Sequence, residues 1–124
     1  MGEVVIIDND PDIVPVIRYH AKEQGVDAKI FQNGTEALEY LDNKKYMVDT
    51  ILLDLMMSPL DGLTIAEEIR RNEGTHKPAV CIAFITSAMI SEAVQRIAER
   101  TDVRKIFHKP CNYSEIFREI KTWS

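Results

Sequence analysis

Acid, acid, hydroxyl and ammonium stand, in that order, at the ends of four apolar runs. Asp8 follows Val4-Val5-Ile6-Ile7, Asp54 follows Thr50-Ile51-Leu52-Leu53, Thr86 follows Ile82-Ala83-Phe84-Ile85, and Lys109 follows Ile106-Phe107-His108. A carboxylate at the tip of a buried strand is costly to keep unless something there uses it. Carboxylates crowded together repel, and each raises the other's pKa unless a cation intervenes. Oxygen-only donors suit a hard divalent ion, and Mg²⁺ commonly takes one or two carboxylates with waters and phosphate oxygens. An aspartate beside that ion can attack a phosphoryl group and form an aspartyl phosphate. Such transfer needs positive charge around the three equatorial oxygens. Lys109 and the metal would supply it, and the Thr86 hydroxyl can donate one hydrogen bond to the product.

Each residue alone has a plainer explanation. Asp10 before Pro11 reads as a helix N-cap, Asp61-Gly62 as turn chemistry, Thr86 as a cap and Lys109 as a surface lysine. What singles them out is their joint arrival at strand ends. Short apolar β-branched runs alternate here with stretches of helical period, the pattern of βα units on a parallel sheet. Strands are expected at 4–7, 27–31 (near an edge), 48–53, 79–85 and 104–108. Helices are expected from Pro11 to Gly25, from Thr35 to about Leu41, over 63–71, over 91–100 and from Asn112 onward, where Glu115 completes a capping-box pattern. Pro15 predicts an irregular first helical turn. Val14, Ile17 and Ala21 face the core in the first helix, and Ala93, Val94, Ile97 and Ala98 in the fourth. In a sheet of this kind ligands bind at the carboxyl ends of the strands, beside the point where strand order reverses.

The 124 residues make one domain, 1–124, with room for a single core. A formal net charge of −5 argues against direct binding to nucleic acid. No run approaches the roughly 18 apolar residues of a membrane span, and no signal peptide is visible. Position 6, which myristoylation needs as Ser or Thr, is Ile6. Cys81 and Cys111 lack paired spacing and read as reduced packing thiols, so the expected compartment is the cytoplasm. His20, His76 and His108 are too scattered for a metal site.

Across essentially its whole length the chain resembles a receiver domain of the two-component response regulators, the CheY-like superfamily. The matching pieces are Val-Ile-Ile-Asp8-Asn9-Asp10-Pro11-Asp12, Leu-Leu-Asp54-Leu-Met-Met with Asp61-Gly62, Phe-Ile-Thr86-Ser87, and Lys109-Pro110. The resemblance implies an α/β fold, a three-layer (βα)5 doubly wound sandwich whose parallel sheet has the flavodoxin-like order 2-1-3-4-5. It implies that Asp54 accepts a phosphoryl group from a phosphohistidine on a sensor histidine kinase or a histidine phosphotransfer protein. Asp8 and Asp54 would hold Mg²⁺ with the Met56 backbone carbonyl, while Thr86 and Lys109 contact the phosphoryl group. Ser87 and Ile106 would be secondary members of the switch. Such a domain assists its own phosphorylation and dephosphorylation and is not a conventional turnover enzyme. The output is a downstream protein or a fused domain. Arg96, Arg100, Arg104, Lys105, Arg118 and Lys121 fall on the surface that receivers often use for output or homodimerisation, built from the fourth helix, fifth strand and last helix.

Several positions depart from the family pattern. Asn9 stands where a second acid is usual and offers an amide oxygen without charge, which predicts weaker Mg²⁺ binding. Met57-Ser58-Pro59 displaces the usual proline by one place. Ile106 replaces the frequent aromatic of the switch, and Phe107 is expected on the opposite face. Met56 and Ala88 are apolar where polar residues help to orient the hydrolytic water, predicting a long-lived phosphoryl group. Two other functions fit part of the pattern. A haloacid-dehalogenase-like phosphohydrolase would use Asp8 as nucleophile, but leaves Asp54 without a role and lacks an acidic pair downstream of Lys109. A receiver that has lost phosphorylation would act as a binding module, which Asn9 and Ile106 favour and Asp54, Thr86 and Lys109 oppose.

Overall fold

The apolar runs form the sheet. In the computed structural model, which describes residues 2–44, 47–55, 62–73, 80–87 and 89–123, five strands alternate with five helices. The strands are β1 (Glu3–Ile7), β2 (Ala28–Phe31), β3 (Val48–Asp54), β4 (Cys81–Thr86) and β5 (Val103–His108). The helices are α1 (Val14–Gln24), α2 (Gly34–Lys44), α3 (Gly62–Glu73), α4 (Glu92–Arg100) and α5 (Tyr113–Lys121). All strand pairs are parallel in the order β2-β1-β3-β4-β5, so the reversal of order lies between β1 and β3. This is the expected doubly wound order.

Strand alternation sends successive side chains to opposite faces, and helices cover both. Val5, Ile7, Ile51, Leu53, Ile82 and Phe84 pack with Ala37, Ile65, Ala66 and Ala98 from α2, α3 and α4. Val4, Ile6, Leu52, Ala83, Ile85 and Phe107 pack with Ile17, Ile116, Phe117 and Ile120 from α1 and α5. Each fully buried Ile, Leu or Phe contributes roughly 1.5–3 kcal/mol, so the central strands are continuous apolar runs rather than alternating ones. Ile106 joins the first cluster and Phe107 the second, as alternation requires.

Local chemistry sets the boundaries. Gly25 ends α1 at φ 68°, a left-handed conformation that glycine adopts without strain. The Asn33 carboxamide oxygen accepts from the Thr35 and Glu36 N–H groups at 2.7 and 3.3 Å and starts α2, which runs past the expected end near Leu41. Ser91 caps α4 by accepting from Val94 N–H at 3.2 Å. Asn112 caps α5 by accepting from Ser114 and Glu115 N–H at 2.8 and 3.3 Å. The Arg70 guanidinium ties α3 to the amino ends of β4 and β5, donating to the carbonyls of Thr101 (2.7 Å), Val80 (2.8 Å) and Asp102 (3.1 Å).

Two expectations need correction. Asp10 does not cap α1 and Pro11 is not its first residue. The Asp10 carboxylate instead accepts from Asp12 N–H at 3.0 Å, closing a turn over residues 11–13 before the helix starts at Val14. Pro15 therefore lies in the first turn, where its missing N–H costs nothing. Ala93 is exposed rather than inward, because on α4 only Ala98 is fully buried and Val94 and Ile97 are half-buried. The Trp123 ring stacks on Phe107 at 6.3 Å between ring centres, with the Arg104 guanidinium 5.1 Å over the indole.

Candidate functional site

Register brings the strand ends together. Ile7 lies beside Leu53, Asp54 beside Ile85, and Thr86 beside His108. Asp8, Asp54, Thr86 and Lys109 therefore occupy one edge of the sheet at its carboxyl end. Asp8, Asp54 and Thr86 are 1%, 4% and 3% exposed. The Lys109 ammonium reaches Asp54 Oδ2 at 3.1 Å and Asp8 Oδ2 at 3.5 Å, bridging residues that are 55 and 101 positions away in sequence. Lys109 is held by its own backbone N–H, which donates to the Thr86 carbonyl at 2.7 Å, while Leu55 N–H donates to the Ile85 carbonyl at 3.0 Å.

The Asp8 carboxylate is the strained member of the cluster. Its Oδ1 accepts from Asp10 N–H at 3.0 Å, but its buried Oδ2 accepts no hydrogen bond among the described residues. Burial pushes the Asp8 carboxyl above its ordinary 3.8 and the charge of Asp54 adds to this, while Asp10 N–H and Lys109 pull against them. Burial also lowers the Lys109 ammonium, yet the hydrogen bond it donates to Asp54 and the charges of Asp8 and Asp54 outweigh this and hold the pKa above 10.5. One ammonium offsets one of the two carboxylate charges. The remaining negative charge, on oxygen donors at the switch point of the sheet, fits a hard divalent cation such as Mg²⁺. Among the described residues no three His, Cys, Asp or Glu side chains cluster as a metal cage.

The other expected members divide. Asn9 is exposed and makes no hydrogen bond to the cluster among the described residues. Ser87 is exposed at the mouth of the site, and Ile106 is half-buried on the face of Phe84. Met56, Met57-Ser58-Pro59, Asp61, His76, Ala79 and Ala88 lie outside the described residues.

Gly62 and Tyr113 matter more than the sequence reading allowed. A Cβ on Gly62 would lie 2.8 Å from the Asp54 carbonyl oxygen and 3.0 Å from Leu55 Cα, so only glycine fits beneath the end of β3. Tyr113, 4% exposed, has a buried phenol oxygen with no hydrogen-bond partner among the described residues. An unpaired buried hydroxyl costs about 1–3 kcal/mol. Burial, then the charges of Asp8, Cys111, Asp54 and Asp10, push this phenol above its ordinary 10.0 and keep it a donor. It lines a 410 Å³ cavity with Asp10, Ile13, Ser87, Lys109 and Cys111, beside the acid cluster. The spacing Lys109-Pro110-Cys111-Asn112-Tyr113 was the available signal, because a cap at Asn112 sets Tyr113 in the first turn of α5.

Comparisons with known proteins bear on the family and the fold. The family model described as the response regulator receiver domain matches residues 4–121. The alkaline phosphatase synthesis transcriptional regulatory protein PhoP of Bacillus subtilis is 28% identical over 71 residues, covering 57% of this chain and 29% of that protein. The sensor histidine kinase CheAY of Helicobacter pylori is 34% identical over 80 residues, covering 64% of this chain and 10% of that protein. The chain thus spans well under half the length of either relative. A CheY-like receiver domain structure from Methanospirillum hungatei superposes with a TM-score of 0.85 at 17% identity, covering 99% of this chain and 93% of that one.

Proposed function

This chain belongs to the response regulator receiver domains, and on that premise we propose that Asp54 is its phosphoacceptor. Receiver domains are signalling domains of two-component systems, and they interact with histidine kinases and output domains. The single observation behind the assignment is the bridge of Lys109 across two buried carboxylates, 3.1 Å from Asp54 and 3.5 Å from Asp8. The phosphoryl group passes from a phosphohistidine on a sensor histidine kinase or phosphotransfer protein to an Asp54 oxygen. Lys109 leaves its carboxylate pair to neutralise the incoming phosphoryl oxygens. Thr86, on the face shared with Phe84 and Ile106, carries the change outward by donating its hydroxyl to the phosphoryl group. Mg²⁺, when bound by Asp8, Asp54 and the Met56 carbonyl, supplies the rest of the positive charge around the equatorial oxygens.

Phosphorylation shifts a population between two states and so alters the affinity for a downstream protein or fused domain. The face formed by α4, β5 and α5 is the proposed output or homodimer surface. Several of its charges are engaged within the chain: Arg96 with Glu92 at 3.0 Å, Arg100 with Glu67 at 2.9 Å and Lys105 with Glu119 at 2.6 Å. The proposal is for a single receiver domain over 1–124, in the cytoplasm, with no direct contact to nucleic acid. Among the described residues no helix is long and apolar enough to cross a membrane.

The test is intact-mass measurement after incubation with acetyl phosphate and Mg²⁺. Wild type gains one phosphoryl group, Asp54→Asn gains none, and Asp8→Asn gains it far more slowly. A gain that depends on Asp8 alone supports the hydrolase-type nucleophile instead. No gain in wild type supports a degenerate binding module. In the same assay Asn9→Asp restores a second charged ligand and tightens Mg²⁺ about tenfold, and an unchanged metal titration contradicts that role for position 9.

A further inference from the structure

We propose that Arg70 is a positioning residue of the switch: it pins the carboxyl-terminal end of α4 to α3, so that α4 answers the acceptor site as a lever moving only at its amino-terminal end. The inference rests on the phosphoacceptor reading of Asp54. Thr86 ends β4, and the chain passes from it through residues 87–91 into α4, so a change at Thr86 reaches α4 at its amino end.

The two ends of α4 are held unequally. In the first half Glu92, Ala93, Gln95 and Arg96 are exposed, and Val94 is half-buried against the core. The bonds from Val94 N–H to Ser91 Oγ at 3.2 Å and from Arg96 to Glu92 at 3.0 Å lie within the helix and its cap. At the other end Ala98 and Thr101 are buried, and the Thr101 hydroxyl donates to the Ile97 carbonyl at 2.7 Å. From α3, the Arg70 guanidinium donates through Nε to the Thr101 carbonyl at 2.7 Å and through a terminal nitrogen to the Asp102 carbonyl at 3.1 Å. Its other terminal nitrogen donates to the Val80 carbonyl at 2.8 Å, just ahead of β4, so the same group is anchored to the sheet. Asp102 holds φ 55°, a left-handed conformation that a non-glycine residue keeps where its surroundings fix it. The Arg100–Glu67 pair at 2.9 Å spans the same two helices, but it is exposed and contributes little by itself. A segment with few buried apolar contacts opens before one that is buried and bonded. Thr101 is therefore the pivot, and the half of α4 that carries Val94 and Arg96 is the half that shifts.

The experiment is residue-resolved hydrogen exchange of the chain in Mg²⁺, with and without beryllofluoride as the phosphoryl mimic. In wild type the mimic is expected to alter exchange at the amides of 92–96 and to leave those of 97–102 where they were. Arg70→Met removes the donors and keeps an apolar stem. Without the mimic, its exchange at 97–102 is expected to rise about tenfold, the effect of losing one charge-assisted hydrogen bond. With the mimic, exchange at 97–102 is expected to change further, because the pivot is gone. A clamp that is only structural gives the first effect without the second, and that result overturns the proposal. A mimic effect at 97–102 in wild type overturns it equally, as does an effect confined to the strand ends with none at 92–96. If the Met variant does not fold, Arg70→Lys takes its place with the same expectation, since it keeps the charge without the planar fork. A mimic that alters no amide of wild type, or alters the same amides in Asp54→Asn, overturns the phosphoacceptor reading and the lever with it.

Discussion

Asp8 carries the largest electrostatic cost in the cluster, and that cost has a measurable sign. Its folded-state pKa lies above 3.8, so the neutral form is the one the fold favours. Stability from this group is full below the unfolded value and is lost as pH rises through the folded value. At neutral pH the metal-free protein therefore holds an unfavourable buried charge. Asp8→Asn removes it and should stabilise the metal-free protein by about 1 kcal/mol at pH 7. The difference between variant and wild type should shrink on acidification toward pH 4, and saturating Mg²⁺ should reverse it. Urea unfolding at the two pH values, with and without the metal, measures this; a variant less stable than wild type at pH 7 without metal contradicts the account. Asp8, Asp54, Thr86 and Lys109 were all legible in the sequence, because each ends an apolar run in a strand that must be buried. Tyr113 was not, because whether a tyrosine hydroxyl finds a partner depends on which elements pack around it.

At the scale of elements, the turn from β3 into α3 is set by a steric demand. Gly62 lies against the carbonyl of Asp54 itself, where a methyl group would come within 2.8 Å. Gly62→Ala should cost about 1–3 kcal/mol through forced backbone movement, and it should slow phosphorylation of Asp54 because the moved backbone carries the acceptor. Gly25→Ala is the control: it strains a left-handed residue by about 1 kcal/mol, far from the site, and leaves the phosphorylation rate unaltered. Equal rates in the two variants would dissociate the β3–α3 packing from acceptor geometry. Element type was legible from periodicity throughout, whereas boundaries moved wherever a side chain competed for the backbone. Asp10-Pro11 has the composition of a helix start, yet the Asp10 carboxylate closes a turn onto Asp12 N–H and delays α1 to Val14. The Asn33 side chain captures two N–H groups and starts α2 one residue before the expected Thr35. Ala93 faces outward because α4 rests on the sheet mainly through Ala98, a narrower contact than its apolar count suggested.

For the whole molecule, the strand order β2-β1-β3-β4-β5 is what converts residues far apart in sequence into one site, since β1 and β3 flank the point where the chain reverses direction across the sheet. The sheet order followed from the family resemblance rather than from periodicity, which fixes the strands but not their neighbours. With apolar Met56 and Ala88 in the sequence near the acceptor and the switch, the isolated phosphoprotein should keep its phosphoryl group for minutes or longer, and loss within seconds by timed intact mass would contradict this. The central claim concerns one atom. After phosphorylation by acetyl phosphate with Mg²⁺, borohydride reduces an aspartyl phosphate to homoserine, and peptide sequencing locates it. The account predicts homoserine at position 54 alone. Homoserine at position 8, or at no position in a protein that gained mass, contradicts it.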